Sequence, residues 1–134
     1  MSETPLAKRL GIKAGQRALV LNAPDGYRLE EGLPDGARVA REAEGQYDVV
    51  QVFVRSQSEA NALTPTALAA LKPDGWLWLT YPKQSAKTGT DISRDVGWDA
   101  LRAAGWEGIA IVSVDETWSA LRFRPSADVK RGRR

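Results

Sequence analysis

The stretch Leu-Lys-Pro-Asp-Gly-Trp-Leu-Trp-Leu-Thr-Tyr-Pro-Lys, residues 71–83, decides the fold class of this chain. Pro73-Asp74-Gly75 has the composition of a tight turn, and residues 76–81 are almost entirely apolar. A short unbroken apolar run bounded by turn residues predicts a strand buried on both faces, as in the centre of a parallel sheet. We therefore predict a central strand over residues 76–81.

Two more apolar runs, at 18–21 and 48–54, predict strands of the same kind. We predict one helical segment before the first strand, at 4–10, and two between later strands, at 58–71 and 97–104. The segment 58–71 has Ser58 as its predicted N-cap and a break at Thr64-Pro65, and the segment 97–104 is capped by Asp91 or Ser93. Two last strands, 109–114 and 118–123, are close enough in sequence to form an antiparallel hairpin. The alternation predicts an α/β fold, with a mostly parallel Rossmann-like sheet, helices on both faces and a C-terminal antiparallel hairpin.

A short connection constrains the strand order. A weak strand is predicted at 37–41, and only six residues separate it from the strand at 48–54. Six extended residues span roughly 20 Å, whereas a parallel neighbour needs a crossover of about a dozen residues. The two strands are therefore either antiparallel neighbours or not adjacent. We favour the second arrangement, with the strand at 18–21 between them.

Composition excludes several kinds of chemistry. The chain has 134 residues with no cysteine and no histidine. Disulfides, thiolate or imidazole metal sites, cysteine nucleophiles and Ser-His-Asp triads are therefore impossible, and we expect no metal site. The length predicts one domain over residues 1–125. No apolar run approaches a membrane span and no signal peptide is recognisable, so we expect a cytoplasmic protein without membrane contact.

The charge is concentrated at the C-terminal end. The formal net charge is +2, but residues 130–134 alone carry +4. We expect residues 126–134 to form a basic, disordered tail. Such a tail can hold nucleic acid or an acidic partner protein, but four charges without aromatic residues bind weakly. A nucleic-acid interface is thus not our expectation, although the adaptor hypothesis stays open.

Two resemblances bear on the fold. Residues 71–83 resemble the fifth-strand region of class I methyltransferases, and LRAAGWEGIAIVSVDETWSALRFRP, residues 101–125, is similar to their closing helix and hairpin. The whole chain resembles a small uncharacterised bacterial family, domain of unknown function 3052, on the strength of LGIKAGQ at 10–16, YPK at 81–83 and WSALRF at 118–123. Together they imply a shortened methyltransferase-like fold and no particular reaction.

The departure from the methyltransferases concerns the cofactor. The resemblance implies a glycine-rich turn after the first strand and an acidic residue after the next one. Here the turn is Asn22-Ala23-Pro24-Asp25-Gly26, and Pro24 has no amide hydrogen to donate. Glu42 is the candidate acidic residue. We therefore expect no resident cofactor, with S-adenosylmethionine as the alternative.

In open α/β sheets, ligands bind beyond the carboxyl ends of the parallel strands. This rule selects seven candidate ligand-binding residues: Asn22, Pro24, Arg55, Lys83, Ser93, Arg94 and Trp118. The basic residues either hold a phosphate or carboxylate, or are solvated or form ion pairs with Asp91 and Asp95. Asn22 either closes its own turn or contacts a ligand, and Trp118 either belongs to the core or forms the floor of a pocket.

Three functions remain open. The first is a non-catalytic binding or regulatory module with a cleft at the carboxyl edge, whose ligand is a small molecule or a protein. The second is an enzyme that binds S-adenosylmethionine or another nucleotide in that cleft. The third is the adaptor that binds through its tail. The sequence assigns no catalytic residue and no oligomeric state.

Overall fold

The computed structural model describes residues 6–83, 90–93 and 96–126. Its elements, in chain order, are α1 (Leu6–Arg9), β1 (Arg17–Leu21), a short 3-10 helix (Leu29–Gly32), β2 (Arg38–Ala40), β3 (Tyr47–Phe53), α2 (Gln57–Ala70), β4 (Leu71–Pro82), α3 (Asp99–Ala103), β5 (Trp106–Ser113) and β6 (Trp118–Pro125). Of the predicted tail, residues 127–134 lie outside the described part, as do Thr4 and Pro5 at the start of the first predicted helix.

The six strands form one sheet in the order β2-β1-β3-β4-β6-β5. The first four strands are parallel, and β5 and β6 form an antiparallel hairpin in which β6 pairs with β4. The predicted α/β class is confirmed. So is the predicted position of β1 between β2 and β3, which the short β2–β3 connection requires.

Each face of the sheet carries its own apolar core. On the face that we call the helix face, Val50, Val52 and Leu79 pack with residues of α2 and α3. On the opposite face, which we call the loop face, Val49, Phe53 and Trp78 pack with α1, Ile12 and Leu29. The strands β1, β3 and β4 are therefore buried on both faces, as their unbroken apolar runs indicate, whereas β2 at the border is partly exposed.

The helix α2 differs from the prediction in two respects. It runs unbroken from Gln57 to Ala70 through Pro65, and its N-cap is Ser56 rather than Ser58, with the Ser56 hydroxyl accepting from the Glu59 amide. Proline deprives the Asn61 carbonyl of its helical partner, but Asn61 is exposed and water can replace the lost bond. The predicted break was therefore wrong.

The predicted cap of the last helix was also wrong. Asp91 instead caps α2, because its Oδ1 accepts a hydrogen bond from the Gln57 amide at 2.8 Å. The helix α3 is shorter than predicted and has Trp98 at its N-cap position, with no side-chain hydrogen bond. The cap of α2 is thus supplied by a residue 34 positions away in sequence, which local sequence could not identify.

The predicted turn at Pro73-Asp74-Gly75 is a bulge within β4. Leu71 pairs with Tyr47 and Trp76 pairs with Val49, so residues 72–75 lie opposite a single residue, Asp48. Asp48 holds this irregular junction together. One of its carboxylate oxygens accepts from the Arg17 amide at 2.9 Å, and the other accepts from Lys72 Nζ at 3.0 Å.

These contacts predict an acid-dependent stability for Asp48. Partial burial raises the pKa of Asp48, but hydrogen bonds from Arg17 and Lys72 outweigh that effect and leave the pKa below its ordinary value. A lowered pKa contributes stability above the unfolded pKa of about 3.9, and that contribution is lost as the pH falls further. We expect Asp48→Asn to lower the free energy of unfolding by about 1 kcal/mol at pH 7, with the difference shrinking below pH 4.

Urea unfolding at several pH values measures this difference. Asp74→Asn is the matched control, since Asp74 is an exposed carboxylate in the same bulge and should leave the stability unchanged. If the difference in unfolding free energy between wild type and Asp48→Asn did not depend on pH, the lowered pKa of Asp48 would not be its cause.

The tryptophans of β4 anchor the loop after α1. Trp78 Nε1 donates to the Leu10 carbonyl at 2.8 Å. Gly11, at φ 86°, lies so close to the neighbouring indole that a Cβ there would stand 2.4 Å from Trp76 Cε3. Glycine is required at this position both by its left-handed backbone and by its contact with the ring.

We expect Gly11→Ala to destabilise the fold more than Gly15→Ala. Both glycines have a positive φ, but a Cβ on Gly15 meets nothing within 4 Å. Gly15→Ala should therefore cost only the left-handed backbone, about 1–2 kcal/mol. Gly11→Ala should cost about 1–3 kcal/mol more because the methyl group overlaps Trp76. Equal losses in thermal or urea unfolding would show that the Trp76 contact does not matter.

Candidate functional site

The strand order reverses between β1 and β3, because the chain moves to β2 on one side and to β4 on the other. A crevice at such a reversal is the usual ligand site of an open α/β sheet. Here Asn22 closes the crevice. It has φ 61°, and its Nδ2 donates to the Phe53 carbonyl at 2.9 Å. Its side chain therefore ties the carboxyl end of β1 to that of β3, instead of closing its own turn.

Beside this bridge, on the loop face, lies a cleft of about 460 Å³ that we call the carboxyl-edge cleft. Three segments form its walls: α1, the turn after β1 and the turn between β5 and β6. The lining residues are Leu6, Pro24, Asp25, Gly26, Tyr27, Arg28, Val114, Asp115 and Trp118. Two of the predicted residues, Pro24 and Trp118, are therefore in one cleft.

Two of the residues that form the floor of the cleft, Tyr27 and Trp118, are aromatic, and the buried ring of Phe53 connects them. Phe53 lies between Tyr27 and Trp118, with ring centroids at 4.7 and 5.0 Å and edge-to-face geometry. Trp118 is 8% exposed and belongs to the core of the loop face, and it also lines the cleft. The two readings of Trp118 from sequence, core residue and pocket floor, thus describe the same position.

A buried polar chain fixes Tyr27 to the sheet. The Tyr27 hydroxyl donates to Gln51 Oε1 at 2.6 Å, and Gln51 Nε2 donates to Thr80 Oγ1 at 3.0 Å. Gln51 and Thr80 are both fully buried, and these bonds give their side chains partners. The floor of the cleft is therefore held in place from beneath.

The rim of the cleft carries charges of both signs. Asp25 and Arg28 are exposed on the turn after β1. Across the cleft, Asp115 Oδ1 accepts from the amides of Thr117 and Trp118, both at 2.8 Å. Asp115 thus orders the β5–β6 turn and adds a second carboxylate to the rim.

Arg55 lies next to the cleft without lining it. Its guanidinium Cζ stands 5.4 Å from the centroid of the Trp118 ring, within the range of a cation–π contact. Its backbone accepts from the Thr90 hydroxyl at 2.8 Å, so the described part of the long β4–α3 connection reaches this edge.

The remaining predicted residues are elsewhere. Lys83 Nζ donates to Ser113 Oγ at 2.7 Å, near the end of the hairpin. The Ser93 carbonyl accepts from Trp98 Nε1 at 3.0 Å, next to α3. Arg94 lies outside the described residues. The structure therefore groups Pro24, Trp118 and Arg55 around the cleft, with Asn22 at its border, and does not bring Lys83 or Ser93 to it.

Sequence reasoning missed Asp25, Tyr27, Arg28 and Asp115. Asp25 and Asp115 belong to turns that were already recognised, and Tyr27 and Arg28 directly follow the first of these turns. They were identifiable from proximity in sequence. Leu6 was not, because nothing local indicates that α1 packs beside the β5–β6 turn.

The turn after β1 gives a ligand little backbone to bind. Pro24 has no N–H, and the next helical element begins only at Leu29, as a short 3-10 helix. Glu42, the candidate acidic residue after β2, is exposed, and its carbonyl accepts from the Tyr47 hydroxyl at 3.1 Å. The turn after β1 therefore offers a ligand no α-helix N-terminus.

A second cavity, of about 390 Å³, lies at the opposite edge of the sheet. It is lined by the bulge of β4, by Trp76 and by the Asp48–Lys72 ion pair. Two of its charged residues, Asp48 and Lys72, are paired with each other in the bulge. The cavity lies at the amino ends of the strands, away from the usual ligand site.

Two further observations concern the described residues alone. They contain no group of three or more acidic side chains able to hold a metal ion. Within residues 6–83, 90–93 and 96–126, no helix is both long enough and apolar enough to cross a bilayer.

Comparison with known proteins identifies the fold. No protein-family model matches the sequence, and no curated protein matches it. The resemblance to domain of unknown function 3052 therefore stays a prediction. Solved structures do match, and three of them are described below.

The similar structures are methyltransferases and their relatives. A complex of DhpI with S-adenosylhomocysteine matches at TM-score 0.59 and 15% identity, over 91% of this chain and 82% of that chain. Fibrillarin from Aeropyrum pernix, with natively bound S-adenosylmethionine, matches at 0.62 and 15%, over 90% and 73%. A methyltransferase from Aquifex aeolicus that depends on S-adenosylmethionine matches at 0.58 and 14%, over 88% and 86%. The chain therefore has a methyltransferase-like, Rossmann-like fold.

The Asn22 bridge predicts an order of stability among variants. Asn22→Gly removes the bond to Phe53 but suits the left-handed backbone, so we expect a loss of about 1 kcal/mol. Asn22→Ala removes the same bond and adds the cost of a left-handed alanine, about 1 kcal/mol more. Urea unfolding measures both, and a ranking with alanine equal to or above glycine would contradict this account.

Proposed function

We propose that this chain is a binding module that holds an adenosyl nucleoside, S-adenosylmethionine or S-adenosylhomocysteine, in the carboxyl-edge cleft. One observation carries the proposal. A cleft beside the strand-order reversal combines an aromatic floor with a carboxylate rim. The likeness in fold to structures that contain these two ligands supports the choice of nucleoside.

The cleft matches the separate parts of such a ligand. A volume of about 460 Å³ lies within the range of small-molecule sites. Tyr27, Trp118 and the apolar Leu6 and Val114 suit a flat adenine ring. Asp25 and Asp115 can accept hydrogen bonds from ribose hydroxyls or pair with the amino group of the methionine part, and Arg28 can pair with its carboxylate.

The same residues favour binding over methyl transfer. When bound, S-adenosylmethionine supplies an electrophilic methyl group, and transfer also requires a positioned acceptor that is often deprotonated by a general base. The titratable side chains of the cleft are Asp25, Asp115, Arg28 and Tyr27. Asp115 Oδ1 is engaged by the amides of Thr117 and Trp118, and the Tyr27 hydroxyl is engaged by Gln51. We therefore propose a ligand-responsive module, with catalysis as the second candidate function.

Calorimetric titration of the full chain tests the proposal. S-adenosylhomocysteine, S-adenosylmethionine, adenosine and methionine are the probes, and we expect both adenosyl compounds to bind. Saturation at about 100 times the dissociation constant should add roughly 2.7 kcal/mol to the unfolding free energy, which a thermal shift detects. The absence of heat and of any thermal shift with all four probes would overturn the proposal.

A matched pair of variants locates the site. Asp25→Ala removes a rim carboxylate, and we expect S-adenosylhomocysteine to bind about tenfold more weakly, which corresponds to about 1.4 kcal/mol. Asp35→Ala removes an exposed carboxylate that does not line the cleft, and it should leave the affinity unchanged. Equal losses from both variants would place the binding outside the cleft. Formation of S-adenosylhomocysteine from S-adenosylmethionine with candidate acceptors tests the second function.

A further inference from the structure

The strand β5 forms one border of the sheet, and within the described residues it pairs with β6 alone. Its sequence, Trp-Glu-Gly-Ile-Ala-Ile-Val-Ser, contains no proline and no lysine or arginine. Ile109 and Ile111 are 37% and 44% exposed, and they are two of the three large hydrophobic residues exposed in the described part of the chain. A long apolar edge strand without proline or lysine is a template for pairing with another strand, and Glu107 is the one charged residue of β5.

The two borders of the sheet differ. At the opposite border, β2 has only three residues, one of which is the exposed Arg38. Short charged edges resist pairing, whereas the eight residues of β5 offer a full row of outward backbone groups. The bulge between Gly108 and Ala110 divides this row into two halves. Any partner strand must match both halves.

The pairing of β5 with β6 shows which backbone groups point outward. Val114 donates to the Trp118 carbonyl, and Ser126 donates to the Gly105 carbonyl, so positions 105 and 114 face β6. Along an antiparallel strand, the backbone groups of successive residues point alternately toward the partner strand and away from it. On each side of the bulge, the backbone groups of residues 106, 108, 111 and 113 therefore point away from β6. The Ser113 carbonyl agrees, because it accepts from Arg9 Nη1 at 2.8 Å rather than from β6.

The side chains of these outward positions share one face. Trp106 packs against the core of the helix face, and Gly108 lies against Leu121 of the same core. Ile111 and Ser113 pair with Leu121 and Ser119, and opposed residues of an antiparallel pair share a face. Glu107 and Val112, between them, lie on the loop face.

One antiparallel register between two copies of β5 satisfies both patterns. It places Trp106 opposite Ser113 and Gly108 opposite Ile111, so that outward backbone groups meet and helix-face side chains adjoin. Ile111 of each copy then covers the notch at Gly108 of the other, where a Cβ would touch the Leu121 methyl groups at 3.3 Å. The same register places Glu107 opposite Val112 on the loop face.

We propose that two copies of this chain pair through β5 in this register and form a continuous twelve-stranded sheet from two six-stranded sheets. Charge complementarity favours a second copy over another protein. In the single chain, Arg9 Nη1 donates to the Ser113 carbonyl. In the pair, that carbonyl accepts from the Trp106 amide of the other copy, and Arg9 is released beside Glu107 of that copy. Both belong to the loop face, so two symmetric Arg9–Glu107 ion pairs flank the joined strands.

Sedimentation velocity of the full chain over a range of micromolar concentrations tests the pairing. We expect a dimer of about twice the 14.6 kDa chain mass. Ile111→Lys adds a charge at the middle of the edge and should give a monomer. Val96→Lys is the matched control, because Val96 is 51% exposed but is not on β5, and it should remain a dimer. Circular dichroism verifies that both variants fold.

A charge exchange tests the register separately. Glu107→Arg should raise the dimer dissociation constant several-fold, and combining it with Arg9→Glu should restore the wild-type value. A monomeric wild-type chain across the range would overturn the proposal. So would a dimer that survives Ile111→Lys, and a double variant that is weaker than the single one would overturn the register.

Discussion

The hydrogen bond from the Trp78 indole to the Leu10 carbonyl, at 2.8 Å, joins the sheet to the small amount of chain that covers its loop face. Among the described residues, α2 and α3 cover the helix face, whereas the four residues of α1, a 3-10 turn and connecting loops cover the loop face. Loops bury apolar surface poorly unless their polar backbone groups find partners. Trp78 satisfies one such carbonyl within the core, and Trp76 packs against Gly11 beside it.

The short connections on the loop face also determine how the cleft is built. The connection between β1 and β2 contains a 3-10 helix but no α-helix, and the connection between β2 and β3 is too short to contain one. The turn after β1 therefore lies on the sheet itself, where Asn22 bonds to Phe53 and Tyr27 bonds to Gln51. A helix N-terminus would have offered backbone amides to an anionic ligand. Under the proposed function, aromatic rings and carboxylates take that role, and they suit a nucleoside better than a pyrophosphate.

Local sequence was sufficient to predict the sheet, but it was insufficient to predict the contacts of α2 and part of the cleft lining. Apolar runs located the strands, and the length of one connection placed β1 between its neighbours. The break at Pro65 was predicted wrongly because the exposure of Asn61 depends on how α2 lies on the sheet. The cap of α2 was missed because Asp91 is distant in sequence from Gln57. Likewise Pro24 and Trp118 were found from strand ends, whereas Leu6 enters the cleft through a tertiary contact.

The cleft and the β5 edge share one structural unit, the turn from Val114 to Thr117. Asp115 orders this turn by accepting from two amides, and Val114 and Asp115 form one wall of the cleft. Ser113, which ends β5, is held by Arg9 and Lys83, and Lys83 also donates through its backbone to the Thr117 carbonyl. Pairing of β5 would replace the Arg9 contact and fix the turn from its other side. Since coupling between two binding events is reciprocal, a ligand that prefers the ordered turn would strengthen pairing by the factor by which pairing strengthens its binding. On these proposals, the affinity of the cleft depends on protein concentration.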